Sequence, residues 1–205
     1  MTQQENPWIE GFKTIGLAVV LAVGLRTFVA EARYIPSESM LPTLQVNDRL
    51  IIDKLSYRFK EPERGDVVVF RPPAEAGRCL NPQAVNPVAP RDAFIKRIIG
   101  MPGETVQVKE EKVYINNQVL EEKYLDDLAN YEFGPKTVPE DSYLVLGDNR
   151  NNSCDGHHWG YVPRENIIGK AVVRFWPLNR LGGLDKTPLY PFSAKDKNND
   201  RSETL

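Results

Sequence analysis

The chain opens with one long apolar stretch and then changes character. Residues 14–25 (TIGLAVVLAVGL) carry no charge, and after Arg26 the run resumes with Thr27, Phe28, Val29 and Ala30. At about 1.5 Å per residue, residues 14–30 give a helix of roughly 26 Å, slightly short of the ~30 Å hydrocarbon core of a bilayer. Trp8, Ile9 and Phe12 extend it by about a turn, and Lys13 and Arg26 can snorkel. The pattern predicts a single membrane span over residues 13–32, preceded by a short tail, 1–12. Two other readings stay open. A buried amphipathic helix would show one apolar stripe, whereas this run is apolar all round. A cleavable signal peptide fits the length and the A-x-A site spelled by Ala30-Glu31-Ala32, but not the acidic Glu5 and Glu10 or the interrupting Arg26.

From Tyr34 onward the pattern is β. Residues 66–70 (DVVVF), 93–99 (AFIKRII), 105–108, 112–115, 143–146 (YLVL) and 167–175 (IIGKAVVRF) are short runs rich in Val, Ile and aromatics, each bounded by Gly, Pro, Asn or Asp. Asn116-Asn117, between VYI and QVL, predicts a hairpin turn because Asn tolerates positive φ. Residues 72–90 hold five prolines and read as an excursion loop. Residues 121–139 are acidic, aromatic and weakly patterned, which suggests an inserted surface element. Residues 193–205 have too little apolar surface to offset ordering entropy and predict a disordered tail.

Composition narrows the function. A chain of 205 residues can bury a core without disulfide staples. With 26 basic and 28 acidic side chains, a net charge of −2 and no Lys/Arg stripe, it lacks the electrostatic footprint of a nucleic-acid binder. Cys79 and Cys154 lie far apart with no C-x-x-C, and the two histidines are neighbours, His157 and His158. A zinc site would therefore need carboxylates. Sixteen prolines and fourteen glycines argue against a helical bundle.

The G-x-S-x-G, S-x-x-K, H-E-x-x-H, G-x-G-x-x-G and Walker patterns are all missing. Three segments remain. The first is the serine-rich turn Pro36-Ser37-Glu38-Ser39-Met40-Leu41-Pro42-Thr43-Leu44, which on its own is an ordinary turn between prolines. The second is Lys96. Strand alternation sets Phe94, Lys96 and Ile98 on one face and Ile95, Arg97 and Ile99 on the other, so one of the two cations must face an apolar layer. A lysine there loses solvation, its pKa falls, and it becomes able to serve as a general base. On an edge strand, both cations would instead lie in solvent. The third is the loop after residue 146, where Asp148, Arg150 and Asp155 can satisfy backbone and one another as a structural knot.

Taken together, four ordered motifs resemble the bacterial type I signal peptidases: Pro36-Ser37-x-Ser39-Met40-x-Pro42-Thr43-Leu44; Arg64-Gly65-Asp66-Val67-Val68-Val69-Phe70; Ile95-Lys96-Arg97-Ile98-Ile99-Gly100-x-Pro102-Gly103-Glu104; and Gly147-Asp148-Asn149-Arg150-x-Asn152-Ser153-x-Asp155. The resemblance runs from the apolar stretch to about Leu178. It implies a mainly β fold, a coil of antiparallel sheets behind one transmembrane helix, with a catalytic domain over 33–192 and an inserted β region near 104–140. It also implies that Ser39 is the nucleophile, Lys96 the general base, Ser37 the side-chain oxyanion donor and Ser153 the group that orients the lysine. Asn151 stands where the family often has Asp, and Gly156-His157-His158 replaces a more usual Ser-Arg/His-Tyr.

The activity so implied is removal of signal peptides from exported preproteins, without cofactor or metal, by cutting after small residues. Substrate would pair as an added strand beside Phe94 and Ile95 and beside Ile35 and Pro36, with Met40 and Leu44 also lining shallow pockets. The partners would be preproteins and a lipid bilayer. The amino terminus would be cytoplasmic and the catalytic domain on the far side of the plasma membrane, or of an internal membrane such as the thylakoid. Two rivals remain. A self-cleaving Ser/Lys repressor would carry a DNA-binding domain where the apolar stretch stands, and a membrane-anchored β binding module would use Ser39 and Lys96 for no chemistry.

Overall fold

The computed structural model describes residues 7–184, with the side chains of 7 and 25–28 left aside. The tail expected at 193–205 lies outside the described residues, as do residues 1–6. The apolar stretch is a helix, Pro7–Phe28 (α1), without an amphipathic stripe. Its large side chains stand in solvent, Trp8 and Phe12 by 77% and 73%. Among the described residues no helix is long and apolar enough to cross a membrane.

The helix stops earlier than the span expected over 13–32. Ala30–Tyr34 is already a strand (β1), because its backbone pairs antiparallel with Arg49–Asp53 (β2), from Ala30 opposite Asp53 to Tyr34 opposite Arg49. The chain continues through Val67–Phe70 (β3) and Phe94–Gly100 (β4). An insert then supplies Thr105–Lys109 (β5), Lys112–Ile115 (β6), Gln118–Val119 (β7) and Phe133–Thr137 (β8). Ser142–Leu146 (β9), the short helix Gly156–Trp159 (α2), Val162–Pro163 (β10), Ile167–Trp176 (β11) and Gly182–Gly183 (β12) complete it.

The larger sheet has the order β1-β2-β11-β3-β4-β9-β10, with β12 added to β11, and all its pairs are antiparallel. β3 and β4 lie in its middle and are covered on both faces, which is why Val67, Val68, Val69 and Phe70 are all buried. On one face Val68, Phe70 and Ile98 pack with Tyr143, Val145 and Trp159. On the other, Val67 and Val69 pack with Ile35, Met40, Leu44, Leu50 and Ile52.

The insert is a separate four-stranded sheet, order β7-β6-β5-β8, whose Val106, Val108, Val113 and Ile115 form a core with Ile99, Leu144 and Leu146. Residues 121–139 are largely exposed, as expected of an inserted surface element, but Tyr124, Ala129, Phe133 and Val138 are buried beside Leu120, and β8 closes the insert sheet against β5. In β8 only Phe133 is buried, so there is no alternation for a pattern reading to detect. Within the proline-rich loop, Ala74–Cys79 forms a short 3₁₀ segment, and Cys79 is disulfide-bonded to Cys154, 75 residues away, with 5.9 Å between the Cα atoms.

Candidate active site

Ser39 lies in the connection from β1 to β2, a segment pinned from several sides. The Ile35 N–H donates to Asp48 O (2.9 Å), the Leu44 N–H to Met40 O (2.8 Å) and the Asn149 N–H to Ser39 O (3.1 Å). The turn between residues 40 and 44 brings Met40 and Leu44 round to the same inward side, where both are fully buried. They therefore anchor the serine turn from beneath and do not line a pocket, contrary to the expectation from sequence. The turn's outer side carries Ser37 and Ser39, whose hydroxyl oxygens are 3.3 Å apart.

Lys96 reaches this turn from β4. Its Nζ donates to Ser39 Oγ at 2.6 Å, and its side chain is only 5% exposed. β4 is central, not an edge, so neither of its cations is left in solvent. Burial pushes the Lys96 pKa down to about 8, against the opposing fields of Asp155 and Asp148. A buried amine poised to lose its proton beside a hydroxyl is a base next to a nucleophile.

The loop following β9 forms the third wall. Gly147 has no room for a Cβ, which would meet the Ser153 hydroxyl and the Ser39 carbonyl. Asp155 is fully buried and caps α2. Its Oδ2 accepts the Gly147 N–H (2.7 Å), and its Oδ1 lies 2.7 Å from His157 Nδ1. Burial opposes its charge, yet His157 and these donors hold its carboxyl below the ordinary range. Tyr131 stacks on the His157 ring at 4.0 Å. Ser153 does not make the hydrogen bond to Lys96 expected of it: its Oγ is buried and, though close enough to Asp155 to reinforce that field, completes no hydrogen bond among the described residues. Asn151 clasps the insert instead, accepting the Asn130 N–H (2.8 Å) and donating to Leu128 O (2.9 Å).

Asp148 and Arg150 point away from the serine. Asp148 takes a two-pronged contact from Arg97, Nε to Oδ1 at 2.8 Å and Nη2 to Oδ2 at 2.7 Å, with both side chains fully buried. Arg150 pairs with Glu122 of the insert at 2.8 and 2.5 Å, a partner that no motif marks. The second motif holds the strands together: Arg64 reaches Glu104 (2.5 Å), and Gly65 O accepts from Arg97 Nη1 (2.8 Å).

A groove of about 470 Å³ runs past Ser37, Ser39 and Lys96 between Pro36 on one side and Phe94 and Ile95 on the other, with Cys154 in its wall. It continues into a smaller hollow of about 270 Å³ beside Tyr34 and Ile35. Of the six residues expected to bind substrate, four line these cavities; only Met40 and Leu44 do not. Among the described residues no three His, Cys, Asp or Glu side chains gather as a metal-binding group.

Comparison with known proteins bears on this geometry. The family model described as signal peptidase, peptidase S26, matches residues 8–176. The chain is 63% identical over 186 residues to a signal peptidase I of Leptolyngbya laminosa, covering 91% of this chain and 88% of that one. It is 58% identical over 180 residues to a probable signal peptidase I-2 of Synechocystis sp., covering 88% and 78%. It is also 40% identical over 178 residues to thylakoidal processing peptidase 1 of Arabidopsis thaliana, covering 84% of this chain and 49% of that longer one. The chain belongs to the signal peptidase family, peptidase S26.

Proposed function

We propose that this peptidase is a membrane-anchored serine endopeptidase that removes amino-terminal signal peptides from exported preproteins with Ser39 as nucleophile and Lys96 as general base. The observation that carries the reading is the 2.6 Å contact between buried Lys96 and the Ser39 hydroxyl, with the lysine pKa lowered to about 8. Neutral Lys96 takes the Ser39 proton as Oγ attacks the scissile carbonyl. The protonated amine then returns that proton to the departing amine, and water, activated by the same lysine, hydrolyses the acyl-enzyme. The Ser39 N–H and the Ser37 hydroxyl meet the charge on the carbonyl oxygen, each contributing about 3–4 kcal/mol in comparable sites. Ser153 packs the lysine's surroundings against Gly147, and the structure gives it no direct bond to the amine.

Substrate lies extended between Ile35–Pro36 and Phe94–Ile95, adding its backbone as a strand. The shallowness of the walls fits cleavage after small residues. α1 anchors the enzyme: its Ile15, Leu17, Val19, Val20, Leu21 and Val23 stand exposed, an apolar surface that needs a lipid solvent. Ser39 follows α1 by so short a chain that the groove stands at the membrane surface. The amino terminus is then cytoplasmic and residues 33–192 extracytoplasmic, on the plasma membrane or, as the name of the Arabidopsis relative suggests for its own protein, a thylakoid.

The deciding experiment incubates the full chain in detergent with a preprotein. Ser39→Ala and Lys96→Arg should each lose cleavage by about 10³-fold or more with folding intact, since a guanidinium stays protonated and cannot act as a base. Near-normal cleavage by either variant would overturn the assignment.

A further inference from the structure

The groove holds two ionisable side chains that this reaction does not use. Glu38 stands between the two serines, and Asp92 lies on the facing wall just ahead of β4. Both are exposed and line the same cavity as Ser39 and Lys96. Neither takes part in any ion pair found among the described residues. Glu38 projects from a fixed point, because its carbonyl accepts from the Leu41 N–H (3.0 Å) and from Asn149 Nδ2 (3.2 Å). Asp92 marks the place where the groove passes into the hollow beside β1, since it borders both.

Apart from Lys96, the described residues lining the groove include no cation, and Lys96 must be neutral to take the serine's proton. In its reacting form the groove therefore carries two negative charges and no positive one. The guanidiniums of Arg33, Arg71 and Arg91 line the adjoining hollows, which Asp92 also borders, and not the groove past Ser39. An extended substrate seated here runs between two unpaired carboxylates, and a lysine side chain within about three residues of the cut, roughly 10 Å of chain, can reach one of them.

We infer that Glu38 and Asp92 are specificity-determining residues that favour preproteins carrying Lys or Arg within three residues of the scissile bond and disfavour those carrying Asp or Glu there. The inference rests on the proposed Ser39/Lys96 reaction. Bound substrate covers the carboxylates and weakens the screening by water that keeps exposed pairs feeble. An acidic side chain in the same place meets two like charges.

The test uses the full chain in detergent and a set of preproteins identical except for Lys, Ala or Glu placed singly at each position flanking the cut. The readout is the ratio of kcat/KM for the Lys and Glu members of each pair. At low salt it should reach about tenfold at one position or more, and it should fall toward one in 1 M NaCl, where the screening length is about 3 Å. Glu38→Gln with Asp92→Asn should bring it close to one, and Glu38→Lys should reverse it. A ratio near one at every position at low salt, or an unchanged ratio in the double variant, would overturn the inference. Because the ratio is internal to each enzyme, a general loss of activity cannot imitate these results. The salt dependence of the unmodified enzyme decides the matter if the variants do not fold. Failure of the Ser39/Lys96 assignment would show separately, as cleavage surviving Ser39→Ala.

Discussion

Lys96 and Arg97 are neighbours on β4, turned by the strand to opposite faces of the sheet, and water is withheld from both. Lys96 shares its face with Phe94 and Ile98 and meets the Ser39 hydroxyl, with Asp155 and Asp148 acting on it only as distant fields. On the other, Arg97 grips Asp148 with two hydrogen bonds, donates to Gly65 O and packs its guanidinium 4.0 Å from the centre of the Tyr124 ring. Burial opposes the charge on both. For Arg97 the Asp148 contact more than offsets it and the pKa rises, whereas for Lys96 no carboxylate is in contact and the pKa falls to about 8. Two cations at equal depth thus take opposite roles, one a fixed charge and the other an available base. The difference is whether a carboxylate touches them.

Four measurements would break or sharpen this contrast. The largest effect is expected for Arg97→Met, which strands Asp148 as a buried charge and should cost about 3–5 kcal/mol in urea denaturation. A loss well under 1 kcal/mol would mean that the pair is not shut off from water. Lys96→Met should act in the reverse sense and stabilise the protein by about 3 kcal/mol at pH 7. The folded-state pKa of about 8 lies below the unfolded value near 10.5, so the unfolded chain binds more protons in that interval. Wild-type stability therefore rises between pH 8 and 10.5, and the advantage of Met should vanish above it. A difference that stays flat with pH would show that the lysine keeps its water.

The third is kinetic. With Lys96 as the proposed base, activity requires its neutral amine, so kcat/KM should fall about tenfold for each pH unit below about 8, equivalent to about 1.4 kcal/mol per unit. A limb that moves when His157 and His158 are both replaced would point to a different base. The smallest effect is expected for Asp155→Asn. Asp155 holds the lysine proton on, so removing its charge should move the limb toward lower pH and raise the ratio of activity at pH 7 to activity at pH 9. Movement toward higher pH would contradict the assigned sign.

What could be read in the sequence followed from how local each feature was. The strands rich in Val and Ile were plain because alternation and burial act over a few residues, and β3 and β4 fell where the pattern put them. The serine turn, Lys96 and the glycine-rich loop were legible as motifs, and the Lys96–Ser39 contact joins two of them. Features set by topology were hidden. Nothing at Arg97 says that its facing strand delivers Asp148, so sequence alone offered burial for one cation and not for both. β8 escaped because only Phe133 faces a core. Met40 and Leu44 read as pocket residues because they flank the serine, but the tight turn buries them. Cys79 and Cys154 gave no spacing signal, since their pairing depends on a proline-rich loop folding back over 75 residues.

That disulfide also has a bearing on how the molecule comes into being. It joins the 3₁₀ segment of the proline-rich loop to Cys154, the residue between Ser153 and Asp155, so one wall of the groove is tied to a loop that lies outside it. Closing a loop of this length removes roughly 4.5 kcal/mol of entropy from the unfolded chain in the chain-entropy model. None of that benefit exists before an oxidant has acted. The loop-to-loop tie between residues 79 and 154 is thus a late gain, added to a fold whose strands already pair without it.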